Sequence, residues 1–181
     1  MKCISIREEK DMELQEQLVL RAKNNDAEAF AQLYQSIYKD LYRFAVYTLQ
    51  NQQDAEDVVS DAVLDAYRNI YQLKDPMAFK SWMFTIVSCK CKKKIKEYKN
   101  KWEEIPDNLV GDIQDLSENV GILQALGTLT EEERLIVTMS VFGGYKGKEI
   151  GSILHKKHST IRSKYRRALE KLKQVMVYEM E

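Results

Sequence analysis

Three groupings of charged side chains carry most of the chemistry that this sequence can do. Residues 146–173 hold ten Lys/Arg against two acids, Glu149 and Glu170. Residues 88–101 hold seven Lys against Glu97 alone. The chain as a whole is formally neutral, with 28 basic and 28 acidic residues, so what remains is strongly acidic. Two basic segments far apart in a neutral chain fit one polyanion held at two places. The third grouping is acidic. Asp57, Asp61 and Asp65 recur every four residues, on one ridge of a helix beside its apolar stripe. Like charges at that spacing cost a few tenths of a kcal/mol per pair, roughly. A ridge that repels itself fits a basic partner, although plain solvation of a helix accounts for the spacing as well.

Bond-making chemistry has no such motif behind it. There is no phosphate-cradling Gly loop, no G-x-S-x-G and no H-E-x-x-H. Cys89 and Cys91 form C-x-C rather than C-x-x-C, and His155 and His158 are distant in sequence. The expectation is a protein that is not an enzyme and carries no metal and no cofactor.

These charges need helices to position them. The chain has 181 residues, 44% of them hydrophobic, with only two Pro and seven Gly. That is enough apolar content for a core and a composition that favours helix. No apolar run approaches the roughly 20 residues that span a bilayer. The opening MKCISIREEKDMELQEQ is charged and lacks an apolar signal segment, and three Cys make an odd count. Both point to a cytoplasmic, reducing compartment without membrane insertion.

The periodicity predicts an all-α protein. Leu14, Leu18, Val19 and Ala22 share one face of a first helix. Asp26 caps a second, with Phe30, Leu33, Tyr34, Ile37, Tyr38, Leu41, Phe44 and Ala45 as its stripe. Asp54 caps a third, striped by Val58, Val59, Ala62, Val63, Ala66, Tyr67, Ile70 and Tyr71 and stopped at residues 74–76. A fourth runs from about Met77 to Tyr98, and its second half is the lysine run. Residues 103–118 contain six acids, no base, Pro106 and Gly111. The expected organisation is therefore an unassigned segment over 1–13, a helical domain over 14–99, an acidic linker over 100–117 and a second helical domain over 118–181. In the latter, Thr130 caps a helix with Leu135, Ile136, Val137, Met139 and Val141 behind it.

The last basic segment, GYKGKEIGSILHKKHSTIRSKYRRALEKLK, reads as two helices joined by a tight turn at residues 155–158. Ser159 is the expected cap of the second helix, and Ile161, Tyr165, Ala168, Leu169 and Leu172 its inner stripe. Thr160, Arg162, Ser163, Lys164, Arg166 and Arg167 then face outward. This is the charge and shape of a helix-turn-helix whose second helix enters the major groove of DNA. In the first domain, Lys90, Lys92, Lys93, Lys94 and Lys96 follow Phe79, Trp82 and Phe84. Basic residues beside aromatics suit single-stranded or melting nucleic acid, though at helical spacing Phe79 and Met83 read as core, and Trp82 fits either role.

Two long segments resemble a known family. DAEDVVSDAVLDAYRNIYQL and FKSWMFTIVSCKCKKKIK look like region 2 of bacterial RNA polymerase sigma factors. LGTLTEEERLIVTMSVFGGYKGKEIGSILHKKHSTIRSKYRRALEKLK is similar to region 4. The short two-lobe layout resembles the extracytoplasmic-function type, group 4 of the sigma-70 family. The resemblance implies binding to core RNA polymerase and promoter recognition for transcription initiation. It implies that Asp54, Glu56, Asp57, Val58, Ser60, Asp61 and Asp65 meet the beta-prime coiled coil. It implies that Lys74, Trp82, Lys90, Lys92, Lys93 and Lys94 bind and help open the −10 element. Ser159, Thr160, Arg162, Ser163, Lys164, Arg166 and Arg167 would read the −35 duplex, with the beta flap also touching the second domain. An anti-sigma factor is a further implied partner. The chain departs from the family in having Ser60 where Gln is usual, Val63 where a larger aromatic is usual, residues 88–90 in place of an Ala-Arg-Asn-like run, and His155-Lys156 where the turn usually has Gly and an aliphatic residue. A positive φ is tolerated less well by His than by Gly. The alternatives are an autonomous helix-turn-helix regulator, which would dimerise on a palindrome, and a helical adaptor whose basic faces are merely solvated.

Overall fold

The structure is a computed structural model, and it describes residues 2–101 and 120–178. The acidic linker lies outside the described residues. Among the described residues there are helices and turns and no strand.

The first lobe contains α1 (Lys2–Lys23), α2 (Ala27–Leu49), α3 (Gln52–Asn69) and α4 (Phe79–Lys101). Single 3₁₀ turns at Ile70–Gln72 and Pro76–Ala78 join α3 to α4. Asp26 caps α2 as expected, accepting from Ala29 N at 3.0 Å. Asn51, not Asp54, caps α3: its Oδ1 accepts from Asp54 N at 2.9 Å. Asp54 sits one turn into the helix, where its charge still faces the positive end of the dipole. The second helix is the spine of the lobe. Its residues Leu33, Ile37, Leu41 and Phe44 are buried, and the rings of Phe44 and Phe84 meet edge-on at 5.6 Å.

The second lobe contains α5 (Val120–Gly127), α6 (Glu131–Val141), α7 (Gly147–Leu154) and α8 (His158–Tyr178). Thr130 caps α6 in a full capping box with Glu133. The last helix starts two residues earlier than Ser159 would allow as a cap. The carbonyl of Lys157 accepts from Thr160 N and Ile161 N, so Ser159 lies within the first turn.

Periodicity overstates burial at the stripe edges. Leu14, Tyr67, Tyr71, Val141 and Leu169 are all exposed. Buried polar groups, in contrast, tie the two lobes together. Thr48 on α2 and Thr138 on α6 are fully buried and share a hydrogen bond of 2.8 Å between their hydroxyls. The Arg134 Nε donates to the Thr48 carbonyl at 2.9 Å. Tyr145 reaches across to α4, donating to the Ser81 carbonyl at 2.5 Å, with the Thr85 hydroxyl 2.8 Å away. Lys92 Nζ on α4 donates to the Leu154 carbonyl at the end of α7.

The turn between α7 and α8 is as tight as its length requires. His155 adopts φ 55° and ψ 46°, the left-handed region, and Lys156 N closes the helix end on the Gly151 carbonyl at 2.8 Å. A left-handed conformation costs an L residue about 1–2 kcal/mol. His155→Gly is expected to raise stability by about 0.5–1 kcal/mol, after allowing for the larger unfolded-state entropy of Gly. Urea unfolding of the two proteins checks this; an unchanged or lower midpoint would contradict it.

Candidate nucleic-acid interface

The outer face of α8 follows from what its inner face buries. Ile161 and Ala168 point inward and are buried in the same core as Ile150 and Leu154 of α7. That leaves Ser159, Arg162, Ser163, Arg166 and Arg167 exposed, with Thr160 half-buried at the edge. Among the described residues Arg162 and Arg167 make no ion pair, and Arg166 has only a loose one with Glu170 at 3.7 Å. Arg162, near the N-terminal end of the helix, can reach base edges, and the later arginines can reach phosphates.

Lys164, expected outside with them, is held from behind. Its Nζ lies 2.7 Å from Glu132 on α6, and Lys156 of the turn lies 2.5 Å from the same carboxylate. Lys171 pairs with Glu133 at 2.7 Å, where the Glu133 side chain is 7% exposed. These acids fasten the helix-turn-helix to α6. Burial pushes the Glu132 carboxyl up, but the Lys156 and Lys164 ammonium groups outweigh it and hold the group below its ordinary range. For Glu133 the Lys171 hydrogen bond dominates and acts in the same direction.

On the first lobe, α3 and α4 lie side by side and exchange charges. Lys90 is 2.6 Å from Asp65 and 3.8 Å from Asp61. Lys94 is 2.6 Å from Asp54, which also accepts a hydrogen bond from the Tyr98 hydroxyl. The Asp54 hydrogen bond raises the Lys94 ammonium above its ordinary value, and the Lys90 hydrogen bond lowers the Asp65 carboxyl below its own. The lysines and acids that the sequence assigned to different partners therefore meet each other. Lys93 and Lys74 remain exposed, Lys92 is engaged with the second lobe, and Trp82 is half-buried against the Phe79 ring at 6.3 Å.

The outer ridge of α3 exposes Glu56, Asp57, Ser60 and Asp61, while Val58 is buried and offers no surface. Leu64, absent from the expected set, is 54% exposed one turn beyond Asp61 and Ser60. Its signal in the sequence is an aliphatic residue placed off the apolar stripe. Cys89 is exposed and Cys91 buried, with burial pushing the Cys91 thiol up. Among the described residues there is no cluster of three or more His, Cys, Asp or Glu able to hold a metal. No helix among them is long and apolar enough to cross a membrane.

Two helical lobes, one with a helix-turn-helix and the other with an acidic ridge beside a lysine helix, define a class of promoter-reading proteins. Residues 33–101 match the family described as Sigma-70 region 2, and residues 120–172 match Sigma-70, region 4. The ECF RNA polymerase sigma factor SigM of Mycobacterium tuberculosis is 26% identical over 160 residues, covering 84% of this chain and 80% of that protein. The fold is similar to that of CnrH in complex with the cytosolic domain of CnrY, with TM-score 0.63 and 20% identity over 91% of this chain and 98% of that one. It is also similar to the sigma factor RpoE from Bartonella quintana, in complex with the anti-sigma factor NepR, with TM-score 0.63 and 20% identity over 81% and 96% of the two chains. The chain belongs to the sigma-70 family, in its extracytoplasmic-function group. It is an RNA polymerase sigma factor.

The Glu132 and Glu133 clamps set a pH dependence. Their carboxyls are depressed in the folded protein, so their stabilisation is complete above the ordinary glutamate pKa of 4.5 and is lost as pH falls through the depressed values. Glu132→Gln is expected to lower stability at neutral pH and to differ less from wild type at about pH 3. Urea unfolding at both pH values checks this; a difference that does not shrink in acid would refute the clamp.

Proposed function

We propose that this sigma factor divides its work between the two lobes. The outer face of α8, through Ser159, Thr160, Arg162, Ser163, Arg166 and Arg167, reads the −35 duplex. The α4 helix and the loop before it, through Lys74, Trp82, Lys90, Lys92, Lys93 and Lys94, bind and open the −10 element. The α3 ridge of Glu56, Asp57, Ser60 and Asp61, with Asp54 and Asp65 behind it, meets core polymerase at the beta-prime coiled coil, and the second lobe meets the beta flap. Leu64 belongs to this surface as an apolar anchor among charges. Lys164 acts through the fold, fixing α8 against α6. The observation that carries the reading is the pair of opposed surfaces on one lobe, acidic on α3 and basic on α4, beside a helix-turn-helix on the other.

Catalysis stays with the polymerase. The sigma factor supplies binding energy to unstack bases, at a cost of a few kcal/mol, roughly, per extruded base. It works in the cytoplasm, as region 2 over residues 14–99 and region 4 over residues 118–181, joined by the acidic linker at 100–117. CnrH is in complex with the cytosolic domain of CnrY and the sigma factor RpoE with the anti-sigma factor NepR, and an anti-sigma factor is the matching regulator here. The groove of about 480 Å³ between the lobes, floored by Ile95, Leu135 and Leu154 and rimmed by lysines, supports such a partner.

The test is in-vitro transcription with purified core polymerase on fragmented genomic DNA from the source organism. New, discrete starts that need this protein are the expected result. No new starts and no stable core complex would favour an autonomous regulator. Asp57→Lys with Asp61→Lys is expected to weaken core binding about tenfold or more, near 1.4 kcal/mol. Equal core affinity in a binding titration would remove the α3 ridge from the interface. Arg162→Ala is expected to change promoter choice, whereas Lys173→Ala weakens binding evenly across sequences. Selection from a randomised −35 pool checks this, and unchanged preference in the Arg162 variant would contradict it.

A further inference from the structure

The loop between α3 and α4 is short, and its Pro76 carbonyl is bonded by a side chain on a different helix. Leu73 is buried, its N–H bonded to the Ile70 carbonyl at 3.0 Å. Asp75 folds back to accept from Met77 N at 2.9 Å, and Ala78 N closes on the Asp75 carbonyl at 3.0 Å. This leaves Lys74, Asp75 and Met77 exposed, beside Tyr71. The Pro76 carbonyl turns the other way. It accepts from Phe79 N at the start of α4 and from Gln15 Nε2 of α1 at 3.0 Å, across 61 residues of sequence. The Gln15 side chain is half-buried, one turn before Leu18 and Val19, which anchor α1 in the core.

We propose that Gln15 is a positioning residue for base recognition in the −10 element: its amide fixes the Pro76 carbonyl and thereby the direction in which Lys74, Asp75 and Met77 face the DNA. The proposal rests on the reading that this loop contacts the −10 element. The geometry makes the role specific. Proline has no N–H, so the loop has one fewer backbone donor with which to hold itself. The Pro76 carbonyl is its inward polar handle, beside the buried Leu73 side chain, and Phe79 N holds that carbonyl from within the same turn. Gln15 fixes it sideways, from a helix that the basic and acidic surfaces do not include. A shift of the carbonyl by an ångström re-aims Met77, the next residue, and side-chain recognition of a base depends on placement at that scale.

Gln15→Glu keeps the size and removes the donor, setting a carboxylate against the Pro76 carbonyl. Gln15→Lys restores a donor on a flexible stem. Both variants, with Met77→Ala and Lys74→Ala, are assayed as holoenzyme on promoter DNA randomised in the −10 element, alongside core affinity and preference at −35. The expected result is a change of base preference of about fivefold at one or more −10 positions for Gln15→Glu, with wild-type preference for Gln15→Lys. Core affinity and −35 preference stay at wild-type values in both. Wild-type −10 preference in Gln15→Glu, while Met77→Ala or Lys74→Ala changes it, overturns the proposal and leaves the loop as the reader. Lower stability or activity of Gln15→Glu with unaltered preference also overturns it. Wild-type preference in all four variants overturns the loop assignment itself, and the proposal with it.

Discussion

The arrangement of this molecule depends on what happens to Thr48. Six consecutive residues of α2, Phe44 to Thr48 and then Leu49, are buried, so the end of that helix is covered on every side. One lobe cannot do this alone, because a helix packed in a single small bundle keeps a solvated face. The second lobe supplies the missing side through α6, and it must then satisfy the polar groups it removes from water. It does so with the Thr138 hydroxyl and the Arg134 guanidinium, both buried. Burial pulls the Arg134 pKa down, which marks the cost of placing a cation there. A buried donor or acceptor left unpaired costs about 1–3 kcal/mol, so the two lobes meet in this register and in few others.

Sequence pattern reached the helices and missed this contact, for a definite reason. The stripes of α2, α3 and α8 are visible because apolar residues repeat at 3.6 positions, and the sequence alone identifies the helix-turn-helix. Thr48, Thr138 and Arg134 carry no such signal. In a helix each is an ordinary surface residue, and only the other lobe buries them. The same limit explains the stripe edges. Leu14 and Tyr71 have the right spacing for a buried face, but no neighbouring element extends over them. Capping failed where two candidates stood three residues apart. Asn51 and Asp54 both have the side chain for a cap, and the extended backbone at Asn51, with φ −144° and ψ 119°, decided between them. Positive φ at His155 was legible only through the resemblance, because the family usually has Gly at that place in the turn. The acidic ridge was legible as spacing, but its partners were not: the lysines that face it lie 25 to 40 residues further along, on a helix whose packing angle the sequence does not state.

Those partners change what the charges mean. A formally neutral chain can bind a polyanion only by exposing cations, and here many of the cations are engaged by acids of the same chain. Lys90 and Lys94 answer Asp65 and Asp54; Lys156, Lys164 and Lys171 answer Glu132 and Glu133. Exposed ion pairs contribute about 0–1 kcal/mol, so such a pair restrains a lysine without locking it. The pairs differ in burial, and Asp54, its side chain 19% exposed, belongs with the enclosed ones. Glu133 is nearly enclosed, and its pair with Lys171 belongs to the scaffold. Asp61 and Asp65 stand open, 73% and 49% exposed as side chains, and can accept a different cation. A basic partner on the α3 ridge would take these carboxylates and leave the Lys90 ammonium to a phosphate. Binding on the ridge and binding on the lysine helix are then linked by the same carboxylates, and linkage between two sites is reciprocal. DNA that drew Lys90 away would uncover Asp65 for the partner, as the partner would uncover Lys90 for DNA. On the proposed reading, placing the two opposed surfaces on adjacent helices would couple polymerase binding to promoter binding without any change of fold.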